Sequence, residues 1–259
     1  MALAFGLLLA PVAQAADIPA KTAPPAPVAP APVDTWRYQL TLYGWATALD
    51  GKLGVRGLPP VNTNVSFADI LKNLDGAFMG AFTAQNDTWM ILGDLVASQI
   101  TARKSLDRVV DAGIKAEQTM TIASGYVGYR LPFGSPSLDI RALAGVRYTN
   151  LDGTLTLYPR VLPISIERGA SKSWTDPVVG VSVHYDFNER WFMNAIADVG
   201  GFGVGTQLSA QGFLAVGYKW TQNISTSIGY RALYQDYRKN GFVFDQTMHG
   251  VFVGLGIHF

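Results

Sequence analysis

The chain has 259 residues, 20 Lys and Arg against 19 Asp and Glu, a formal net charge of +1 and no cysteine. That length suits one barrel of moderate size or one large soluble domain. The near-neutral balance, without a basic run, gives no ground for a nucleic-acid partner, and the missing cysteine excludes disulfides, thiolate metal sites and a Cys nucleophile.

Residues 1–15 read as a signal peptide, with an apolar run from Ala2 to Val12 and an A-x-A cleavage pattern at Ala13-Gln14-Ala15, so that the mature chain begins at Ala16. Residues 16–35 follow as a linker. Pro19, Pro24, Pro25, Pro27, Pro30 and Pro32 alternate there mostly with Ala, the composition of an extended, solvated spacer on the periplasmic side. Beyond it no run approaches the roughly 20 apolar residues of a membrane-spanning helix. A membrane protein of this sequence is therefore a β protein.

From Trp36 to Phe259 the pattern predicts an all-β domain of about ten strands, with eight and twelve as the neighbouring even counts. The predicted strands are 36–47, 76–84, 88–101, 113–131, 137–150, 173–187, 190–201, 207–220, 224–238 and 247–259. Connections alternate along the chain. Those near 85–87, 132–136, 188–189 and 221–223 are tight; those at 48–75, 102–112, 151–172, 202–206 and 239–246 are longer. Short periplasmic turns opposite longer external loops are the asymmetry of a transmembrane antiparallel up-and-down barrel. An even strand count leaves both chain ends of the barrel on the short-turn, periplasmic side.

The last strand shows the division of faces most plainly. Val251, Val253, Leu255, Ile257 and Phe259 share one face, and Gly250, Phe252, Gly254, Gly256 and His258 the other. A uniformly apolar face repeated from strand to strand suits a closed sheet with lipid outside. On the outward parity near the short turns stand Trp36, Tyr38, Trp89, Tyr185, Trp191, Tyr218, Trp220 and Phe259, placed as an interfacial aromatic girdle; Tyr148, Tyr230 and Tyr234 lie toward the other end. The inward parity carries Arg37, Asp94, Asp139, Arg141, Arg147, Asp176, Asp198 and Arg231, together with Gln39, Tyr43, His184, Asn194, Gln211 and Lys219. Ions enclosed there must pair, hydrogen-bond or meet water. A cross-linked lumen follows, with Arg147 and Asp176 at similar depth on neighbouring strands. A barrel of about ten strands is little wider than one that side chains fill, so a packed interior is favoured over an open pore.

No motif carries catalysis. The three His are dispersed and give no metal-ligand spacing, and no cofactor is implied. A rim site of the Asp and His kind, as in the outer-membrane proteases that also have ten strands, would be sought in Asp236, Asp245 and His249, yet no paired acidic motif resembles those enzymes. Gly200 to Gly205 follows a strand but opens no helix, so it reads as a hairpin connection and not a phosphate loop. The segment Val65 to Leu74 is the exception to the strand pattern. Phe67, Ile70, Leu71 and Leu74 recur at helical spacing after Ser66, an N-cap residue, with Asp69 three positions on.

The terminal Phe259 resembles the carboxy-terminal signal of Gram-negative outer-membrane barrels. Tyr43-Gly44-Trp45, Asp50-Gly51, Val65 to Leu74, Gly76 to Gly80, Gly93-Asp94-Leu95 and Asp198 to Gly205 together resemble a family of small porin-like proteobacterial outer-membrane β-barrel proteins, over nearly all of residues 36–259. The resemblance implies an integral outer-membrane barrel without assigned activity, and no catalytic residues to carry over. Expected partners are outer-membrane lipid, the barrel-assembly machinery acting on the last strand, and small solutes. Two functional classes follow: a narrow channel or structural, surface-interacting barrel, and a small hydrolase acting at the external rim.

Overall fold

The computed structural model describes residues 35–54, 59–106, 112–133, 135–159 and 166–259. The predicted signal peptide, and the linker apart from Thr35, lie outside these residues. Eleven strands form one antiparallel sheet: β1 (Arg37–Gly54), β2 (Val61–Val65), β3 (Leu74–Gln85), β4 (Trp89–Leu106), β5 (Ala112–Arg130), β6 (Leu138–Pro159), β7 (Ile166–Asp186), β8 (Trp191–Gly201), β9 (Leu208–Lys219), β10 (Ile224–Lys239) and β11 (Phe242–His258). One helix, α1 (Phe67–Asn73), lies between β2 and β3.

Sequential strands pair from β3 to β11, and β11 returns to β1 along a ladder from Gln39↔His258 to Gly54↔Val243. Ten strands thus close an up-and-down barrel, and β2 is an extra strand outside that count. Closure removes the sheet edges that would otherwise stand unpaired. The Tyr38 and Phe259 backbones exchange both hydrogen bonds at 3.0 Å, which sets the first and last strands together at the short-turn rim.

Strands reach further from that rim than the sequence pattern predicts. The predicted connections at 151–172 and 239–246 are largely strand: β6 runs to Pro159, β7 starts at Ile166, and β10 and β11 meet in a turn at Asn240-Gly241, whose φ values are 54° and 80°. Two positive φ angles are what a tight type I′ hairpin requires. The apolar alternation fades there, because the outward face beyond the belt carries Asp236, Arg238 and Asp245 rather than aliphatic residues, while the ladder continues to Lys239↔Phe242.

The two faces of the last strand differ in exposure. Val251, Val253, Leu255 and Ile257 are exposed, while Met248, Gly250, Phe252, Gly254 and Gly256 between them are buried. At the short-turn end the girdle side chains touch one another: Trp89 meets Tyr129 at 5.2 Å, Trp191 meets Tyr218 at 5.1 Å, Tyr218 meets Trp220 at 4.8 Å and Tyr38 stacks on Phe259 at 5.9 Å. Tyr185 packs against Phe187 in the same belt. A second belt carries the exposed Tyr148 and Tyr230. Tyr148 stands ten residues above Leu138, the partner of Tyr185. Ten residues are about 33 Å of strand, or about 25 Å of height at the usual barrel tilt.

Candidate functional site: the barrel interior

The interior is built in layers, because inward side chains recur every second residue on each strand. A polar layer comes first above the short turns. Arg231 on β10 donates to Asp94 Oδ1 (2.7 Å), to the Tyr43 hydroxyl (2.9 Å) and to Gln211 Oε1 (2.8 Å), and lies 4.9 Å from the Trp45 ring. Tyr43 in turn donates to Asp94 at 2.6 Å. Gln211 passes the network on through Nε2 to Asp198 (3.1 Å). Arg147, with no exposed surface, donates to both oxygens of Asp198 (2.8 and 2.9 Å), to the Tyr126 hydroxyl (2.7 Å), to Ser209 (2.9 Å) and to Ser124 (3.2 Å). Two buried guanidinium groups are thereby each matched to a carboxylate and joined across the lumen. Such pairs stand only when the remaining donors are also satisfied.

Two residues further from the short turns on the same strands, the layer is apolar. Tyr43 is succeeded by Trp45, Asp94 by Val96, Ser124 by Ile122 and Arg231 by Leu233, and these pack with Met248 as a buried cluster. Gln235 and Gln246 lie above it. Trp174, Tyr237, Phe244 and Leu151 then form a further cluster, Trp174 stacking on Tyr237 at 4.4 Å. Polar, apolar, polar and aromatic layers thus succeed one another along the barrel.

Below the polar layer is a cavity of about 480 Å³. Its ceiling includes Tyr43, Asp94, Tyr126 and Arg231, and its mouth includes Arg37 and Asp87 at the short-turn rim, an exposed pair 3.7 Å apart. One wall carries Asp186, which receives Lys219 Nζ at 2.7 Å and lies 3.3 Å from His184 Nε2. Asp139 holds Arg141 at 2.7 Å, and Arg141 also caps the Asn86 and Trp89 carbonyls at 2.9 and 2.8 Å. Arg141 thus ties a short turn to the wall and takes no part in the layer above.

Of the predicted inward ions, Asp94, Arg147, Asp198 and Arg231 share the polar layer, while Arg37, Asp139 and Arg141 stand lower. Asp176 departs from expectation. It is the backbone partner of Arg147, yet Arg147 pairs with Asp198. The Asp176 Oδ1 accepts the Thr206 N–H (2.7 Å) in the β8–β9 turn, and Oδ2 has no partner among the described residues. Tyr126, Ser124 and Ser209 were not singled out in the sequence; inward parity on β5 and β9 is the signal that marks them.

The rim trio does not assemble. His249 lies between the Tyr230 hydroxyl (2.6 Å from Nδ1) and Asp50 (2.8 Å from Nε2), and Asn64 also donates to Asp50. Asp236 and Asp245 are instead held by Arg238, at 2.6 and 3.0 Å, with Tyr234 donating to Asp245 at 3.0 Å. Register explains the separation: His249 is four residues along β11 from Asp245, about 13 Å of strand. Both groups stand on the outward parity.

This geometry defines a closed, ten-stranded, up-and-down β-barrel. No family model and no curated protein matches the sequence. Among solved structures the outer-membrane protease OmpT from Escherichia coli is similar, with a TM-score of 0.51 at 12% identity over 86% of this chain and 97% of that one. Matches also include the translocator domain of the autotransporter NalP from Neisseria meningitidis (TM-score 0.45, 13% identity, 86% of this chain and 88% of that one). A third is Ail, the attachment invasion locus protein of Yersinia pestis (TM-score 0.35, 11% identity, 88% and 100%). At these identities the likeness concerns fold alone: the chain has the fold of an outer-membrane β-barrel protein.

Proposed function

We propose that this chain is an integral outer-membrane barrel of the small porin-like proteobacterial kind, without a catalytic centre, serving as a structural or surface-interacting element. The observation that carries the reading is the lumen. Arg147 and Arg231, 0% and 4% exposed, close it in one layer, and Trp45, Val96, Ile122, Leu233 and Met248 close it again directly above. Solutes from the short-turn side would enter the 480 Å³ vestibule and meet that double ceiling. Both chain ends face the periplasm in this reading, lipid surrounds the two aromatic belts, and the assembly machinery engages β11.

A narrow channel is the second reading, favoured by the vestibule alone. Against the hydrolase reading stands the pairing of Asp236 and Asp245 with Arg238, away from His249. Swelling of vesicles carrying the refolded chain separates the two barrel readings. The expected result is no swelling in small sugars beyond that of empty vesicles; rapid swelling would favour the channel.

A further inference from the structure

Among the described residues, the ladder between β1 and its neighbours is interrupted between two paired stretches. β1 pairs with β3 from Arg37↔Gln85 to Leu42↔Gly80, and its next partner on that side is β2, beginning at Leu49↔Val65. Above Gly80, β3 continues to Leu74 with β4 alone as partner. Over Tyr43 to Ala48 on β1 and the facing stretch of β3, no ladder joins the two strands. Six residues correspond to about 20 Å of strand. Helix α1 starts beside the foot of β2 and ends at the top of β3, so its seven residues bridge the gap as a lintel of about 10 Å. Paired strands lie only about 4.8 Å apart. The result is a triangular window with its apex at Leu42 and Gly80 and its base at α1. The apex lies six residues above Trp36, which places the window in the upper part of the wall, toward the belt of Tyr148 and Tyr230.

We propose that this window binds an acyl chain of an outer-leaflet lipid. The proposal rests on the outer-membrane reading given above. The frame is apolar and open to the surroundings: Leu42, Phe78 and Leu71 are 40%, 56% and 54% exposed, and Phe67 is 40% exposed. Behind the opening lies the apolar layer, where Trp45 packs with Met79, Met120 and Met248. Thioether side chains repack readily around an inserted chain. The Trp45 N–H, which in a zipped wall would face a strand carbonyl, donates to Met79 Sδ at 3.3 Å. Sulfur is a weak acceptor, so this edge is better satisfied by an ester or amide carbonyl. Unpaired strand edges do not face hydrocarbon without a polar partner. A lipid meets both demands, its carbonyl at the edge and its chain on Met79 and Trp45.

The test uses the full chain refolded in vesicles doped with a phospholipid carrying a diazirine on an acyl chain, irradiated and mapped by mass spectrometry. Adducts are expected on Met79 and Trp45, inward residues at the window, as well as on the outward Val253. A Cβ at Gly44 or Gly76 would meet nothing within 4 Å, and both glycines stand on the outward parity beside the opening, so Gly44→Phe with Gly76→Phe places two rings over its outer mouth. That variant is expected to lose the Met79 and Trp45 adducts and keep those on Val253. Labelled Val253 with unlabelled Met79 and Trp45 in the unmodified chain overturns the proposal. Absence of labelling at Val253 as well would show that the barrel is not in the bilayer, a failure of the outer-membrane reading that takes the window with it.

Discussion

From β6, Arg147 directs its guanidinium at four side chains on three other strands: Ser124 and Tyr126 on β5, Ser209 on β9 and Asp198 on β8. Removing the carboxylate leaves a charge with no exposed surface and no counter-ion. Asp198→Ala is therefore expected to destabilise the refolded barrel by about 3–5 kcal/mol in urea unfolding, with Arg147→Met added to it recovering part of the loss. Tyr234 offers a pH-dependent counterpart beyond the belt. Burial first, then the Asp245 carboxylate that accepts its hydroxyl, pushes its pKa from 10.0 up to about 12. A raised pKa stabilises the fold below pH 10.0 and the effect is lost as the folded form titrates toward about 12. Tyr234→Phe should remove one tyrosine's share of the phenolate absorbance that the folded chain develops near that upper value. Alternation alone puts the inward ions on one parity. Their partners were not legible, since Arg147 and Asp198 stand on β6 and β8 and meet only through curvature that period-two reading does not contain. Arg147 and Asp176, which alternation does place side by side, are not paired.

At the scale of elements, α1 and the β1–β11 seam carry opposite lessons. Ser66 accepts the Asp69 N–H at 3.2 Å and was readable as an N-cap from Ser-x-x-Asp spacing. Ser66→Ala is expected to cost about 1 kcal/mol, seen as faster protease cleavage within 66–74 while the barrel stays folded. What spacing did not reveal is that α1 has no buried residue and bridges two strands instead of lying on the rim. The seam depends on a residue that no alternation flags. A Cβ on Gly250 would lie 1.8 Å from the Ala46 carbonyl oxygen. Gly250→Ala should force β1 and β11 apart and sharply lower the yield of heat-modifiable, folded protein on gels. Strand number was legible from turn chemistry, whereas strand length beyond the belt was not, because outward polar residues there erase the contrast between faces. The Asn240-Gly241 dipeptide was the available sign of the tight hairpin.

For the whole molecule, the wall and the interior serve different ends. Aromatic belts about 25 Å apart match the apolar band of a membrane barrel, and the parity that exposes Val253 outside buries Phe252 inside. Within the wall, the polar layer and the Trp45 layer above it lie across the path from the vestibule. A barrel so layered is expected not to conduct, which single-channel recording in planar bilayers measures directly, using the chain from Ala16 onward with folding verified by heat-modifiable migration. A silent bilayer is expected, and Arg231→Ala, which removes one guanidinium while Leu233 and Met248 remain, should stay silent too. Steady current steps from the unmodified barrel, altered by Arg231→Ala, would contradict the account and make the polar layer the filter of a channel.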